Sequence, residues 1–403
     1  MEEVMTERLP DHVRPVLYEI ELKVIPKEKS FSGRVQIDLQ VETPAREIIL
    51  HSLDLNIDGA EIQQGASKRI PVGIKTDPPS ETICLLPKEP IKSGTSRLFI
   101  SFSGRLNRQM RGLYEAHAGG EIYAFTQCEA TDARRIFPCF DEPAMKARFR
   151  LSVAVPSDLV ALSNMPVIEE KQDTYQEEGL KYLTFDETPV MSTYLLALAV
   201  ARLEKEEIEV AGTRVGLWTL PGELHLGQFA LEVTSAALPL LNDYFDLPYP
   251  TPKLDLVCVP DFAMGAMENW GAIFFRDSCL LLDREIASTT TQRRVANVIT
   301  HEIVHQWFGN LVTMGWWDDL WLNESFATWL ACKIVDQWRP EWHSWVEFQQ
   351  EKEVPLSLDA LEATRPIRAD VASSAQIEEM FDALTYEKGA ACLRMIEQFL
   401  GEG

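Results

Sequence analysis

Two histidines four residues apart, with a glutamate directly after the first, stand at His301-Glu302-Ile303-Val304-His305. On a helix these histidines share one face, so both imidazoles can reach a single metal ion. Glu302 then lies close enough to act on a water at that ion without ligating it, the geometry behind the H-E-x-x-H zinc pattern. Read alone, the pentapeptide also fits two surface histidines and a solvated glutamate. A third donor decides between these readings: Glu324, in Trp321-Leu322-Asn323-Glu324-Ser325. Two histidines and one carboxylate leave a fourth position open, as in catalytic rather than structural zinc sites. The expected cofactor is therefore one Zn²⁺ per chain, held by His301, His305 and Glu324, with Glu302 as general base.

The elements that must position these groups are legible as periodicities. The spacing predicts a helix over 293–308, with an N-cap in the Ser/Thr run at 288–291 and Gly309 as its C′ residue. A second helix is expected from Asn323 as N-cap, through Phe326, Leu330 and Val335, to about 337. That places Glu324 in a first turn, where the helix dipole favours a carboxylate. A third helix is expected over about 378–400. The first half instead alternates with period two: Tyr18, Ile20, Leu22 and Val24; Val35, Ile37, Leu39 and Val41; Phe149, Leu151, Val153 and Val155. Such rows bury one face of a strand and wet the other. Residues 1–205 read as all-β, without an internal repeat. Beyond them come a short β region at 208–220, a helix over 230–244 and strands near 254–259 and 272–276. No low-complexity linker separates the halves, so a boundary near 205 should be packed.

The chain has 403 residues, with 38 Lys+Arg against 62 Asp+Glu and a formal charge of −24. A field of that sign repels nucleic acid and anionic membranes and mildly favours cationic ligands. Seven cysteines are spread singly, with no C-x-x-C pair. That fits reduced thiols in a cytoplasmic protein better than a disulfide framework. The N-terminus lacks the basic and apolar regions of a signal peptide. The longest apolar stretch, near 194–201, is too short to span a bilayer.

Several further motifs occur in order: Thr126-Gln127-Cys128-Glu129-Ala130, Ala133-Arg134-Arg135 through Pro138, Gly265-Ala266-Met267-Glu268-Asn269, and Tyr386-Glu387-Lys388-Gly389. With the zinc constellation, they make the chain resemble the gluzincin aminopeptidases, the family of aminopeptidase N and puromycin-sensitive aminopeptidase. The tricorn-interacting aminopeptidases of archaea are similar in overall texture. The resemblance implies a saddle-like N-terminal β domain at 1–205, contributing to the substrate cleft. It further implies a thermolysin-like catalytic domain at 206–403, cut short at its C-terminal end because the family's catalytic domain continues into a helical domain.

The implied activity is zinc-dependent removal of the N-terminal residue from peptides with a free amine. A peptide α-amine is cationic near neutral pH, so a buried carboxylate at fixed distance from the metal can select it. The resemblance gives that role to Glu268, assisted by Glu129, with Gly265, Ala266, Met267 and Asn269 completing the substrate-binding segment. It makes Tyr386 the donor to the developing oxyanion. Met264 and Met267 are expected beside the first side chain. Two departures, Ser325 where the family often has Gly and Arg365 where His is common, carry no expected function. Three alternatives stand beside this reading. They are a thermolysin-like endopeptidase, an epoxide hydrolase of the leukotriene A4 hydrolase type (from which Ala266 departs) and a non-catalytic scaffold.

Overall fold

Alternation at period two builds the first half of the molecule. The computed structural model describes residues 8–172 and 179–401. It joins Val13–Ile25, Ser30–Val41 and Gly94–Arg105 as long neighbours in an eight-stranded sheet. Tyr18, Ile20, Leu22 and Val24 are buried along one face, as are Val35, Ile37, Leu39 and Val41. Pairing in this sheet is antiparallel except where Val13–Ile25 runs parallel to Arg148–Pro156. There Tyr18 lies opposite Phe149, with rings stacked at 4.8 Å. A four-stranded sheet follows, in the order Val160–Ser163, Leu198–Ala201, Glu121–Gln127, Gly112–Ala118. Its strand Glu121–Gln127 leads directly into Glu129.

The strand Glu204–Val210 already belongs to the sheet of the second half, whose order is Glu204–Val210, Thr213–Thr219, Lys253–Val259, Ala272–Arg276, Ala266–Met267. Lys253–Val259 is buried along its whole length, as its nearly unbroken apolar run requires. Ala266–Met267 is the short edge strand, antiparallel to Ala272–Arg276. One hydrophobic core extends from the β half through Val257, Met267, Trp270, Phe274 and Trp317. The two halves therefore share packing. A second core fills the space between this sheet and the helices.

Helix α1 (Gln228–Phe245) packs behind the two helices that carry the site, α2 (Thr289–His305) and α3 (Leu320–Trp338). On α2, Val295, Ala296, Ile299, Ile303 and Val304 form the buried stripe. Ala327, Leu330, Ala331, Ile334 and Val335 do the same on α3. Fully burying an aliphatic side chain is worth about 1.5–3 kcal/mol, so these stripes rather than intrinsic propensity fix both helices. Helix α4 (Ser344–Glu351) follows, and α5 (Gly389–Leu400) ends the described chain. Met395, Ile396, Phe399 and Leu400 of α5 are exposed.

Three boundaries differ from expectation. Helix α2 starts at the expected cap, where Ser288 Oγ accepts from the Thr291 N–H, but it ends at His305 rather than 308. Gly309 has φ +136°, and a Cβ there would come within 2.9 Å of His305 Nδ1. Its role is to let the chain pass close to that imidazole, not to cap the helix. Helix α3 begins three residues before Asn323, because the 3₁₀ turn Trp317–Asp319 runs straight into it. Glu324 thus sits in the second turn, where the dipole is weaker. The expected helix over 378–400 is broken into Ser374–Glu379, a π-helical turn Leu384–Lys388, and α5. Asp382 makes this break: its carboxylate accepts from the backbone N–H groups of Leu384 and Thr385.

No helix among the described residues is long and apolar enough to cross a membrane. All seven cysteines lie among them, and each is a free thiol.

Candidate active site

Helical spacing does what the H-E-x-x-H pattern requires. His301 and His305 sit one turn apart on α2, their Nε2 atoms 3.0 Å from each other. Glu324 arrives from α3 with Oε2 at 3.3 Å from His301 Nε2 and 3.5 Å from His305 Nε2. The ligand-type atoms of all three residues lie within 4.8 Å of one another. His305 Nδ1 faces the Phe308 carbonyl at 3.1 Å, and His301 Nδ1 faces Thr328 Oγ1 at 3.4 Å. In the neutral tautomer that keeps each ring's N–H on Nδ1, facing its oxygen partner, both Nε2 lone pairs and a carboxylate oxygen converge on one point. Three acceptors without a donor are relieved by a cation, so this donor set fits Zn²⁺ in the catalytic two-histidine, one-carboxylate form.

The electrostatics point the same way. Burial alone would lower the His305 pKa, yet the carboxylates of Glu268, Glu324 and Glu302 outweigh it and push it up to about 10. Burial would raise Glu324, but His305 and His301 hold it down at about 2. Glu302 and Glu129 are driven well above the carboxylate range by burial and by neighbouring acids. Burial raises Glu268 as well. Oxygens Glu302 Oε2, Glu268 Oε1 and Glu129 Oε1 are buried without a hydrogen-bond partner. Four carboxylates gathered around two imidazoles form a region starved of positive charge.

These groups share a cavity of about 320 Å³, walled by Glu129, Gly265, Ala266, Glu268, the three cluster residues, Glu302 and Tyr386. Met267 and Asn269 are buried and are not in that wall. The Met267 sulfur accepts from Gln127 Nε2, tying the edge strand to the β half. Met264 does line the cavity. Tyr386 is half-buried at the cavity wall, with its ring nearly parallel to His301 at 6.1 Å. Burial first, then the surrounding carboxylates, raise its phenol well above the usual value and keep it protonated.

Several positioning groups left no mark in the sequence reading. The Glu268 carbonyl accepts from Gln306 Nε2 at 2.9 Å and Asn310 Nδ2 at 2.8 Å, fastening the edge strand to the end of α2. Lys146 Nζ reaches the Asn310 carbonyl and Tyr194 Oη the Gly309 carbonyl, so the β half braces the same turn. The buried Arg134 gives the 133–138 motif a structural role: it pairs with Asp141 and Glu81 and holds the loop after Glu129.

The two departures also find places. Ser325 Oγ donates to the Thr385 carbonyl, and a Cβ on Gly389 would collide with that oxygen. Arg365 donates to Asp382 Oδ1 at 2.6 Å and Thr385 Oγ1 at 2.9 Å, bracing the turn that presents Tyr386.

Comparison with known proteins identifies the family. Residues 14–195 match the Peptidase M1 N-terminal domain, and residues 229–403 match the Peptidase family M1 domain. Aminopeptidase M1-A of Oryza sativa subsp. japonica is 42% identical over 98% of the chain and 45% of its own length. Aminopeptidase 2, mitochondrial, of Saccharomyces cerevisiae is 40% identical over 98% of the chain and 42% of its own length. Leucyl aminopeptidase of Saccharolobus solfataricus is 45% identical over 77% of the chain and 40% of its own length. The chain thus spans less than half the length of these relatives. Its N-terminal β half and its mixed α/β half, bearing the two-histidine, one-glutamate cluster, belong to peptidase family M1.

Proposed function

We propose that the protein is a zinc aminopeptidase that releases single residues from the free N-termini of peptides. The observation that carries this reading is the presence of the buried Glu268 and the half-buried Glu129, each with a buried, unpartnered oxygen, beside the metal cluster in one cavity. An ammonium group is the cation that suits them, and an acetylated terminus would leave both unpaired at a cost of about 1–3 kcal/mol per group. Names of the relatives, all aminopeptidases, support the same conclusion.

His301, His305 and Glu324 would hold the zinc, which supplies a polarised scissile carbonyl and an acidified water when bound. Glu302, whose Oε2 is free, takes the proton of the attacking water and passes it to the leaving nitrogen. The Tyr386 phenol donates to the carbonyl oxygen as it gains charge. Glu268 and Glu129 hold the amine and so set the register at one residue. Gly265 and Ala266 line the cavity on the edge strand, where small side chains leave the backbone open to pair with an extended peptide. We place the boundary between the substrate-flanking β domain and the catalytic domain at 205/206, and the protein in the cytoplasm, which suits seven free thiols.

Mass spectrometry of a peptide digest tests the reading. A ladder of products shortened one residue at a time from the free terminus, absent for the N-acetylated peptide, is expected. Internal fragments from the acetylated peptide would contradict it and favour an endopeptidase.

A further inference from the structure

The cavity extends well past the groups used above. Asn297, His301 and His305 follow one another at four-residue steps along α2, and Arg294 and Val298 join them in the wall. Gln306 and Asn310 fasten the carbonyl of Glu268, so the amine-binding carboxylates lie at the C-terminal end of this helix. A peptide anchored there and crossing the metal cluster runs toward the helix N-terminus. From His305 to Arg294 that path is about 16 Å at 1.5 Å per residue, room for the residue after the scissile bond. The far chamber is bounded by α4, through the buried Ser344 and Phe348 and the exposed Glu351 at its rim, and by Glu387 next to Tyr386.

Acceptors dominate its lining; of the arginines behind α4, Arg293 is spent on Glu347 and the Trp342 carbonyl, and Arg394 lies over the Trp345 ring. Ser344 is 1% exposed, lines the chamber, and its Oγ has no partner. Asn297 Oδ1 and Glu387 Oε2 are likewise buried without partners. Burial and the nearby Glu351 charge raise the Glu387 carboxyl. The one Lys or Arg in the wall, Arg294, donates Nη2 to the Ser278 carbonyl. Apolar surface from Phe348 and Ala331 lies beside these acceptors. An alkyl stem against Phe348 and Ala331, ending in a cationic head among acceptors, matches this arrangement.

We propose that this chamber receives the side chain immediately after the scissile bond and selects a cationic one, lysine or arginine, through Glu351, Glu387, Ser344 and Asn297. The proposal rests on the aminopeptidase reading, which supplies the direction of the peptide.

Two phosphinic pseudodipeptides, alike except for lysine or norleucine at the second position, test it by calorimetric binding to the zinc-loaded protein. The lysine compound is expected to bind about tenfold tighter or more. Glu351→Gln and Glu387→Gln should each bring that ratio toward one, a change that general damage to the fold would not produce because both compounds would suffer alike. Equal binding by the unsubstituted protein overturns the proposal alone, as does a ratio that survives both substitutions. Failure of both compounds to bind a protein that holds zinc stoichiometrically overturns the aminopeptidase reading and the proposal with it.

Discussion

The two ends of the proposed catalytic machinery are held by different means. His301, His305 and Glu324 stand on two regular helices, α2 and α3, whose apolar stripes are buried in a common core. Tyr386 stands on a single π-helical turn, and what fixes that turn is polar: Asp382 on two backbone N–H groups, Arg365 on Asp382, and Ser325 on the Thr385 carbonyl. A helix pair tolerates the loss of any one apolar contact because many share the load. A turn pinned by a few hydrogen bonds does not. The cluster should therefore fail only when its own residues change, and Tyr386 when distant ones do.

Substitutions should separate the two ends, beginning with the largest effect. Glu302→Gln removes the proposed base without touching the α2 or α3 packing. Turnover should fall by about 10²–10⁴ while bound zinc, measured by elemental analysis, stays at one per chain. Loss of zinc in that variant would mean that the cluster depends on more than its ligands. Arg365→Ala should leave zinc intact and lower kcat about tenfold with little change in KM, because it loosens Tyr386 rather than substrate binding. An unaltered kcat would show that the turn holds without it.

The smallest effect concerns stability. The Glu387 carboxyl is raised to about 7 by burial first, then by Glu351 and Asp382. The folded chain therefore binds more protons than the unfolded one between the ordinary carboxylate value and 7, and stability falls as pH rises through that window. Glu387→Gln should melt with wild type near pH 4.5 and gain about 1–2 °C above pH 7. The gain is kept small by the group's partial exposure. A constant offset across this range would place the ionisation elsewhere.

The same contrast explains what could be read from the sequence. The ligand helix was legible because four-residue spacing is a property of any helix, and Glu324 because a third donor is a chemical requirement. The rows from Tyr18 to Val24 and Val35 to Val41 were legible because alternation and burial are two views of one strand. The start of α3 was misplaced because Asn323, a good cap by type, is spent inside the protein on Tyr194 Oη. The break before α5 was unreadable, since its cause is a side chain, Asp382, competing for backbone N–H groups. Arg365, Gln306, Asn310 and Lys146 act through partners far away in sequence, and no local pattern announces them.

The central claim is that two carboxylates with unpartnered oxygens, Glu268 and Glu129, make the site an aminopeptidase. The most direct measurement is the ratio of cleavage rates for leucyl-arylamide and its N-acetylated twin, in the zinc-loaded protein and in Glu268→Gln. The account predicts cleavage of the free-amine compound alone, abolished by chelation, and a selectivity that collapses in the variant. Comparable cleavage of both compounds, or selectivity untouched by the substitution, would contradict it.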